Sequence, residues 1–543
     1  MARSSRGPLR PVRRRLASLA FCAATVAGLV DPMAAAAQGP SSAEMDARIR
    51  QEEAAHSQLM RTEHVLTDVY GPRLTGSPNA KAAGAWAIAQ LTDWGLSKGH
   101  LEPWSFGHPG WTNERASGYI TWPVRDQLTF KVEAWTPGTH GPLTAGVVVI
   151  DPPAAATRER LARYLDTVRD RVRNRIVLVG AGAPLEPEDS FPARLDDKLV
   201  AEMLHPAPAP AEPAADAAVL SRDQATRQVD AFLMAAGAVM RVNDARLPNG
   251  AIRAFDNPTF DPKKALPTVI LRHEDFGRIV RIAADGTPPT LSFDIQNRLW
   301  PEGRTAYNAI AEIPGTDKAD EIVMLGAHLD SWHSATGATD DASGCAMMME
   351  AVRILTALGV HPRRTIRIAL WTGEEQYLLG SQDYVARHFG TAEAPGPDFY
   401  KLAAYVNIDG GTGRIRGANI FGPAQDADGL AATLAPFADL GFVGAVAHGK
   451  RKLRSTDATT FSRAGLPAIG LMQDPMDYGV TWHSNFDTYD HVVEGDAKSA
   501  AVVIAALVYD LAMRDAPPAR FESAEMPSPE GPAPSSHPAP NVE

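Results

Sequence analysis

The chain has 543 residues, 45% hydrophobic and 22% charged, with a net charge of −11. That balance is ordinary for a globular protein, and the length exceeds one simple core, so two domains or one domain with an insertion are expected. The acidic charge argues against nucleic acid as a partner, since phosphate binding needs a basic face.

Taken in chain order, the first segment reads as an export signal. MARSSRGPLRPVRRR is basic, LASLAFCAATVAGLV is apolar and MAAAAQ is a run of small residues, the three parts of a secretory signal peptide. We place it at residues 1–37, with cleavage between Ala37 and Gln38. The apolar run falls short of the roughly 20 residues that span a bilayer. The mature protein is therefore expected to have no membrane span and to lie in the periplasm or outside the cell. Without residues 1–37, which hold six Arg and one Asp, the net charge becomes −16. Of the two cysteines only Cys345 then remains, which excludes an intramolecular disulfide.

Residues 38–119 open the main domain, with a helix predicted over 42–62. A Gly-Pro turn in YGPRLTGSP follows, then an Ala-rich amphipathic helix over 79–94. Over 120–285 the character changes to short strand-like runs such as KVEAWT, GVVVID and RIVLVG, separated by Pro, Ala and Gly. We read an inserted β-rich module with a flexible excursion near 185–220. From 286 to 515 strands and helices alternate: EIVMLGAH, GCAMMMEAVRILTALG, TIRIALW, LLGSQDYVARHF, KLAAYVNID and finally AAVVIAALVYDLAMR. That rhythm predicts an α/β fold, a mixed, mostly parallel sheet with helices on both faces. The Pro-, Ser- and Glu-rich stretch 516–543 is expected to be a disordered tail.

Ligands of open α/β sheets collect beyond the carboxyl ends of the strands. There the sequence places His328 and Asp330, then Asp340 and Asp341, then Glu374 and Glu375, then Asp409, and far downstream His483. Singly, each has a bland reading, because a lone Asp at a strand end is usually a turn former or helix cap. Jointly they are the nitrogen and oxygen donors that Zn²⁺ takes. So many carboxylates in one crevice also repel unless cations sit among them. The methionine run 347–349 and Cys345 read as core.

The motifs GAHLDSW, GATDDASG, WTGEEQ, VNIDGGTG and WHSNFDTYD resemble those of the co-catalytic zinc exopeptidase family, which includes bacterial leucyl aminopeptidase, glutamate carboxypeptidase and carboxypeptidase Q. The resemblance extends to YGPRLTGSP and YNAIAEIPGT, and is strongest to bacterial carboxypeptidase Q-like proteins. The insertion corresponds in position to the protease-associated domain of many members. The resemblance implies two Zn²⁺ ions, one on His328 and Asp409, the other on Glu375 and His483, with Asp340 bridging and a cis bond from Asp340 to Asp341. Asp330 would orient the His328 imidazole through its carboxylate. Glu374 would be the general base for the water between the metals. Asp457 matches a Ser-Asp-His segment in which Ala458 replaces the His, and Trp482 stands where relatives carry His or Tyr.

These readings imply an exported dizinc exopeptidase acting on short peptides or dipeptides. An aminopeptidase of the same family and an amidohydrolase on small acyl-amino acids are the alternatives; a receptor-like binding module is disfavoured because every ligand position and Glu374 are kept. Which terminus is read, and which residue anchors it, is left open by the sequence. A homodimer is common among carboxypeptidase Q-like proteins.

Overall fold

The computed structural model describes residues 42–185, 192–206, 218–452 and 456–529. The signal segment 1–37 lies outside these residues. No helix among them is long and apolar enough to cross a membrane.

The chain opens with helices α1 (Ser42–His56), α2 (Leu59–His64) and α3 (Pro78–Asp93). The predicted first helix is thus broken near Ser57. Ser77 caps α3 by accepting from the backbone of Ala80, and Pro78 follows at the first helical position, where its missing N–H is not needed. Strand β1 (Ser97–Ser105) leads to a second module: β2 (Gly110–Trp122), β3 (Asp126–Gln127), β4 (Phe130–Val132), β5 (Leu143–Ile150), α4 (Arg158–Val172), β6 (Ile176–Val179), α5 (Asp197–Leu204), α6 (Arg222–Ala236), β7 (Met240–Asp244), β8 (Thr268–Leu271), α7 (His273–Ala284) and β9 (Thr290–Trp300). The chain then returns to the first sheet through β10 (Thr305–Ile313), β11 (Lys318–His328), α8 (Ser343–Ala357), β12 (Arg364–Trp371) and α9 (Leu379–His388). A short ribbon, β13 (Gly390–Thr391) with β14 (Ala394–Pro395), precedes β15 (Leu402–Asn407), β16 (Ile415–Phe421) and α10 (Gln425–Leu434). The last elements are β17 (Gly444–His448), α11 (Asp457–Ala464), β18 (Ala468–Gln473), α12 (Tyr478–Thr481) and α13 (Glu494–Met513).

The first sheet has the order β1-β10-β12-β11-β15-β18-β16-β17. Its centre, β12-β11-β15-β18, is parallel throughout, so four consecutive strands end on one edge. β11 alternates between two cores: Val323, Leu325 and Ala327 join the core built with α1, α3, α8 and α13, while Ile322 and Met324 face α9 and α11. This period of two, apolar on both sides, is what a parallel strand buried between helices requires. The methionines 347–349 are fully buried, as expected.

The second sheet has the order β3-β2-β9-β5-β6-β7-β8-β4. It departs from the β-rich expectation. β5, β6, β7 and β8 are parallel, α4 and α6 cover one face, and Phe276 and Ile279 of α7 pack into the other. Parallel pairs need crossover connections, and α4 and α6 supply two of them here. The sheet also runs beyond 120 and 285, because β2 and β9 pair as a long antiparallel ladder from Gly110–Trp300 to Trp122–Thr290. Both sheets belong to one compact unit.

Two segments expected to be loose make packing contacts. Within the excursion near 185–220, Leu195 together with Val200 and Leu204 of α5 packs on Val446 and Met472 of the first sheet; residues 186–191 and 207–217 lie outside the described residues. In the C-terminal stretch, Arg520 donates to the Phe399 carbonyl at 2.7 Å and the Phe521 ring meets Phe421 at 5.3 Å. Residues 530–543 lie outside the described residues.

Candidate active site

The four parallel strand ends converge on one cluster. His328 is the last residue of β11, Glu374 and Glu375 follow β12, Asp409 follows β15, and His483 lies in the loop after β18 and α12. Asp340 arrives from the turn before α8, through a cis peptide bond to Asp341. The Asp341 carboxylate folds over the start of α8, accepting from the backbone N–H of Gly344 at 3.1 Å and of His328 at 3.2 Å. A Cβ at Gly344 would lie 2.2 Å from Asp341 Oδ1, so only glycine admits this cap.

Asp340 divides its oxygens between the two imidazoles. Oδ1 lies 3.1 Å from His328 Nε2, which also faces Asp409 Oδ1 at 3.8 Å. Oδ2 lies 3.1 Å from His483 Nε2, which also faces Glu375 Oε2 at 2.9 Å. The result is two donor groups sharing one carboxylate. Two overlapping triads that share His328 rather than Asp340, one with Asp340 and Glu375 and one with Asp341 and Asp409, each have donor atoms all within 4.8 Å of one another.

The donor chemistry fits divalent cations. His328 Nδ1 donates to the Asp330 carbonyl at 2.9 Å, which leaves the Nε2 lone pair directed at carboxylate oxygens. Asp340 Oδ2 and Glu375 Oε1 are buried without a hydrogen-bond donor, and orphaned buried acceptors are rare in folded proteins. Two His and three carboxylates are ligands of the type zinc takes. Burial pushes the Glu375 carboxyl up to about 7 and Glu374 well above its usual range, with neighbouring Asp and Glu charges adding to the rise. Burial opposes the charge on His483, but Glu375 and Asp340 outweigh it and raise that imidazole to about 10. These opposed pressures are what a compact cation charge relieves.

The remaining predicted residues fall as follows. Glu374 reaches the cluster with a carboxylate that makes no hydrogen bond among the described residues. The Asp330 carboxylate faces His328 Nδ1 as an ion pair at 3.7 Å, while the hydrogen bond of that nitrogen goes to the Asp330 carbonyl. The carboxylate accepts from Thr75 Oγ1 at 2.9 Å and from the backbone N–H groups of Glu374 and Glu375, each at 3.3 Å. The reason is supply and demand among buried groups: the Glu-Glu turn exposes donors needing an acceptor, while the imidazole is already served by a backbone carbonyl. Asp330 therefore fixes the turn that carries both glutamates. Trp482 stacks on His483 at 3.8 Å between centroids and lies under the Arg253 guanidinium at 4.9 Å. Cys345 is buried and its thiol donates to the His328 carbonyl at 3.1 Å. His333 turns away, with Nε2 on the Val132 carbonyl at 2.7 Å.

Sequence reasoning missed Arg73, Thr75 and Tyr478. Arg73 is fully buried and reaches five carbonyls: Leu329 at 2.6 Å, Thr336 at 2.7 Å, Gly337 at 2.8 Å, Leu66 at 3.0 Å and Gly71 at 3.2 Å. It ties the loop between His328 and Asp340 to the N-terminal helices. Tyr478 donates to Asp409 Oδ1 at 3.3 Å. The YGPRLTGSP motif carried the signal for the first two.

Residues 308–508 match peptidase family M28. That stretch forms an M28 peptidase domain. Mouse carboxypeptidase Q is 25% identical to the chain over 452 residues, 83% of this chain and 85% of the mouse protein. Among solved structures, a peptidase M28 precursor from Shewanella amazonensis superposes with a TM-score of 0.64 at 24% identity, over 89% of this chain and 99% of that one. An aminopeptidase from an Aneurinibacillus strain superposes with a TM-score of 0.52 at 17% identity, over 89% and 99%. The M28 domain holds every cluster residue named above, from His328 to His483, while Arg73 and Thr75 reach it from outside.

Proposed function

We propose that the protein is an exported dizinc exopeptidase of carboxypeptidase Q type, hydrolysing short peptides or dipeptides beside a free terminus in the periplasm or outside the cell. The division of the Asp340 oxygens between His328 and His483 carries this reading. His328 and Asp409 would hold one ion, Glu375 and His483 the other, and Asp340 both. Bound there, the ions would supply an acidified water and polarise the scissile carbonyl.

The chain's own residues then do the following. Glu374, unpaired and adjacent to a ligand, accepts the proton of the attacking water and returns it to the departing amine. The Asp330 carboxylate holds the backbone of both glutamates, so base and ligand keep one relative position. The Trp482 ring stacked on His483 and the Phe255 ring edge-on at 5.5 Å hold the His483 imidazole in place. In a mass-spectrometric digest of free, N-blocked and C-blocked short peptides, cleavage is expected to stop on chelation and return with zinc. Cleavage that survives complete metal removal would contradict the mechanism.

A further inference from the structure

The cluster opens into a cleft of 840 Å³ between the M28 domain and the inserted module, reached by Glu375, His483 and Trp482 from one side. The other wall carries, besides Asp151, Asp223 and Asp244, two carboxylates of interest: Glu133 after β4 and Asp256 in the segment between β7 and β8. Their backbones are neighbours: Ala134 and Asp256 form a parallel bridge, and Ala134 N–H donates to the Phe255 carbonyl at 2.9 Å. Glu133 is 9% exposed, lines the cleft, and its carboxylate has no hydrogen-bond donor among the described residues; nor has that of Asp256 beyond its own backbone. The nearest cation to Glu133, Arg241, is engaged elsewhere, with Asp230 at 2.7 Å and Asn243 at 2.9 Å. Arg241 is thus charge-paired with Asp230, and the other arginines lining the cleft, Arg222, Arg246 and Arg253, make no hydrogen bond to either carboxylate among the described residues. Around Asp256, α6 places Asp223, Arg222 and Arg227, none of which hydrogen-bonds it. Burial accordingly pushes Glu133 up to about 8 and Asp256 to about 6, the cost of leaving acceptors without a donor.

Resting on the peptidase reading of the same cleft, we propose that Glu133 and Asp256 form a cation subsite that receives a protonated amine of the peptide substrate. An ammonium brings three donors and one compact charge, a match for two carboxylates on one wall. A calcium ion would want six to eight oxygens, far more than this pair supplies. The amine has two sources, the N-terminal α-ammonium or a basic side chain. Phe255 joins the two halves of the cleft, since its neighbour Asp256 belongs to the subsite while its ring meets His483.

The test compares the zinc-loaded full chain with Glu133→Gln, Asp256→Asn and the double variant, all near-isosteric. Kinetics are read on alanyl-alanine, N-acetyl-alanyl-alanine, and N-acetylated dipeptides carrying lysine or norleucine. An α-ammonium ligand gives wild type at least a tenfold lower KM for the free than for the acetylated peptide, and the double variant abolishes that ratio with little change in kcat. A side-chain ligand gives the same collapse for the lysine-norleucine ratio instead. The proposal is overturned if both ratios survive in the double variant, or if the variants weaken all substrates alike. Calorimetric titration of the same peptides into each protein separates this from the peptidase reading. Amine-dependent binding lost in the double variant upholds the subsite even without turnover, and binding that ignores both the amine and the substitutions refutes it.

Discussion

Arg73→Lys isolates the contribution of a residue that touches neither the cluster nor the cleft. The guanidinium makes five hydrogen bonds to five backbone carbonyls within a fully buried site. Lysine keeps the charge but has only three donors, so at least two carbonyls lose theirs. Hydrogen bonds to a charged donor contribute about 1.5–3 kcal/mol each, giving a loss of about 3–6 kcal/mol. That is a large part of a typical stability of roughly 5–15 kcal/mol. Three of the acceptors, Leu329, Thr336 and Gly337, lie on the loop joining His328 to Asp340, so zinc affinity should fall along with stability. The assay pairs denaturant unfolding with zinc competition against a chromophoric chelator. A stability change below about 1 kcal/mol would refute the hydrogen-bond count. Full destabilisation with unaltered zinc affinity would refute the link between Arg73 and the placement of Asp340.

Glu374→Gln should lower kcat by about 10²–10⁴-fold, the usual worth of a general base, with zinc content unchanged by elemental analysis. Asp340→Asn should reduce bound zinc at both positions, read as stoichiometry after dialysis, since one carboxylate faces both imidazoles. The raised carboxyl of Glu133 gives a pH signature. A folded value near 8 against 4.5 unfolded means its stabilising proton is fully held below pH 4.5 and lost as pH rises through 8. Glu133→Gln should therefore gain on wild type by up to about 4 kcal/mol between pH 5 and 9, measured as the difference in unfolding free energy; a pH-independent difference would contradict it.

Much of the first sheet was legible because β11, β12 and β15 carry apolar runs that lead into His328, the Glu374-Glu375 pair and Asp409, so local pattern and functional position coincide. Arg73 stood inside the YGPRLTGSP motif, but its role was not legible, because its partners are backbone carbonyls, as far off as Gly337, and carbonyls leave no mark in a sequence. The further partners of the Asp330 carboxylate, the N–H groups of Glu374 and Glu375, escaped for a related reason: spacing shows which residues are near, but not which donors a turn leaves unserved. The parallel core of the inserted module escaped detection because β6 and β8 have only four residues each, too few for a period. Glu133 and Asp256 are far apart in the chain and meet only through the Ala134 bridge.

The stitching between the inserted module and the loop bearing His483 has a mechanical consequence. Ile252 N–H donates to Asn485 Oδ1 at 2.6 Å and its carbonyl accepts from Asn485 N–H at 3.0 Å, while Arg253 donates to the carbonyls of Trp482 and Gly479 at 2.9 and 2.8 Å. The module cannot swing as a free flap, because any rotation pulls on the residues flanking His483. Trimming the chain to a minimal catalytic core would strip these sutures and leave that imidazole on an untethered loop. A chimera that borrows another module must carry the 251–257 segment with it, or graft matching partners for Asn485 and the two carbonyls.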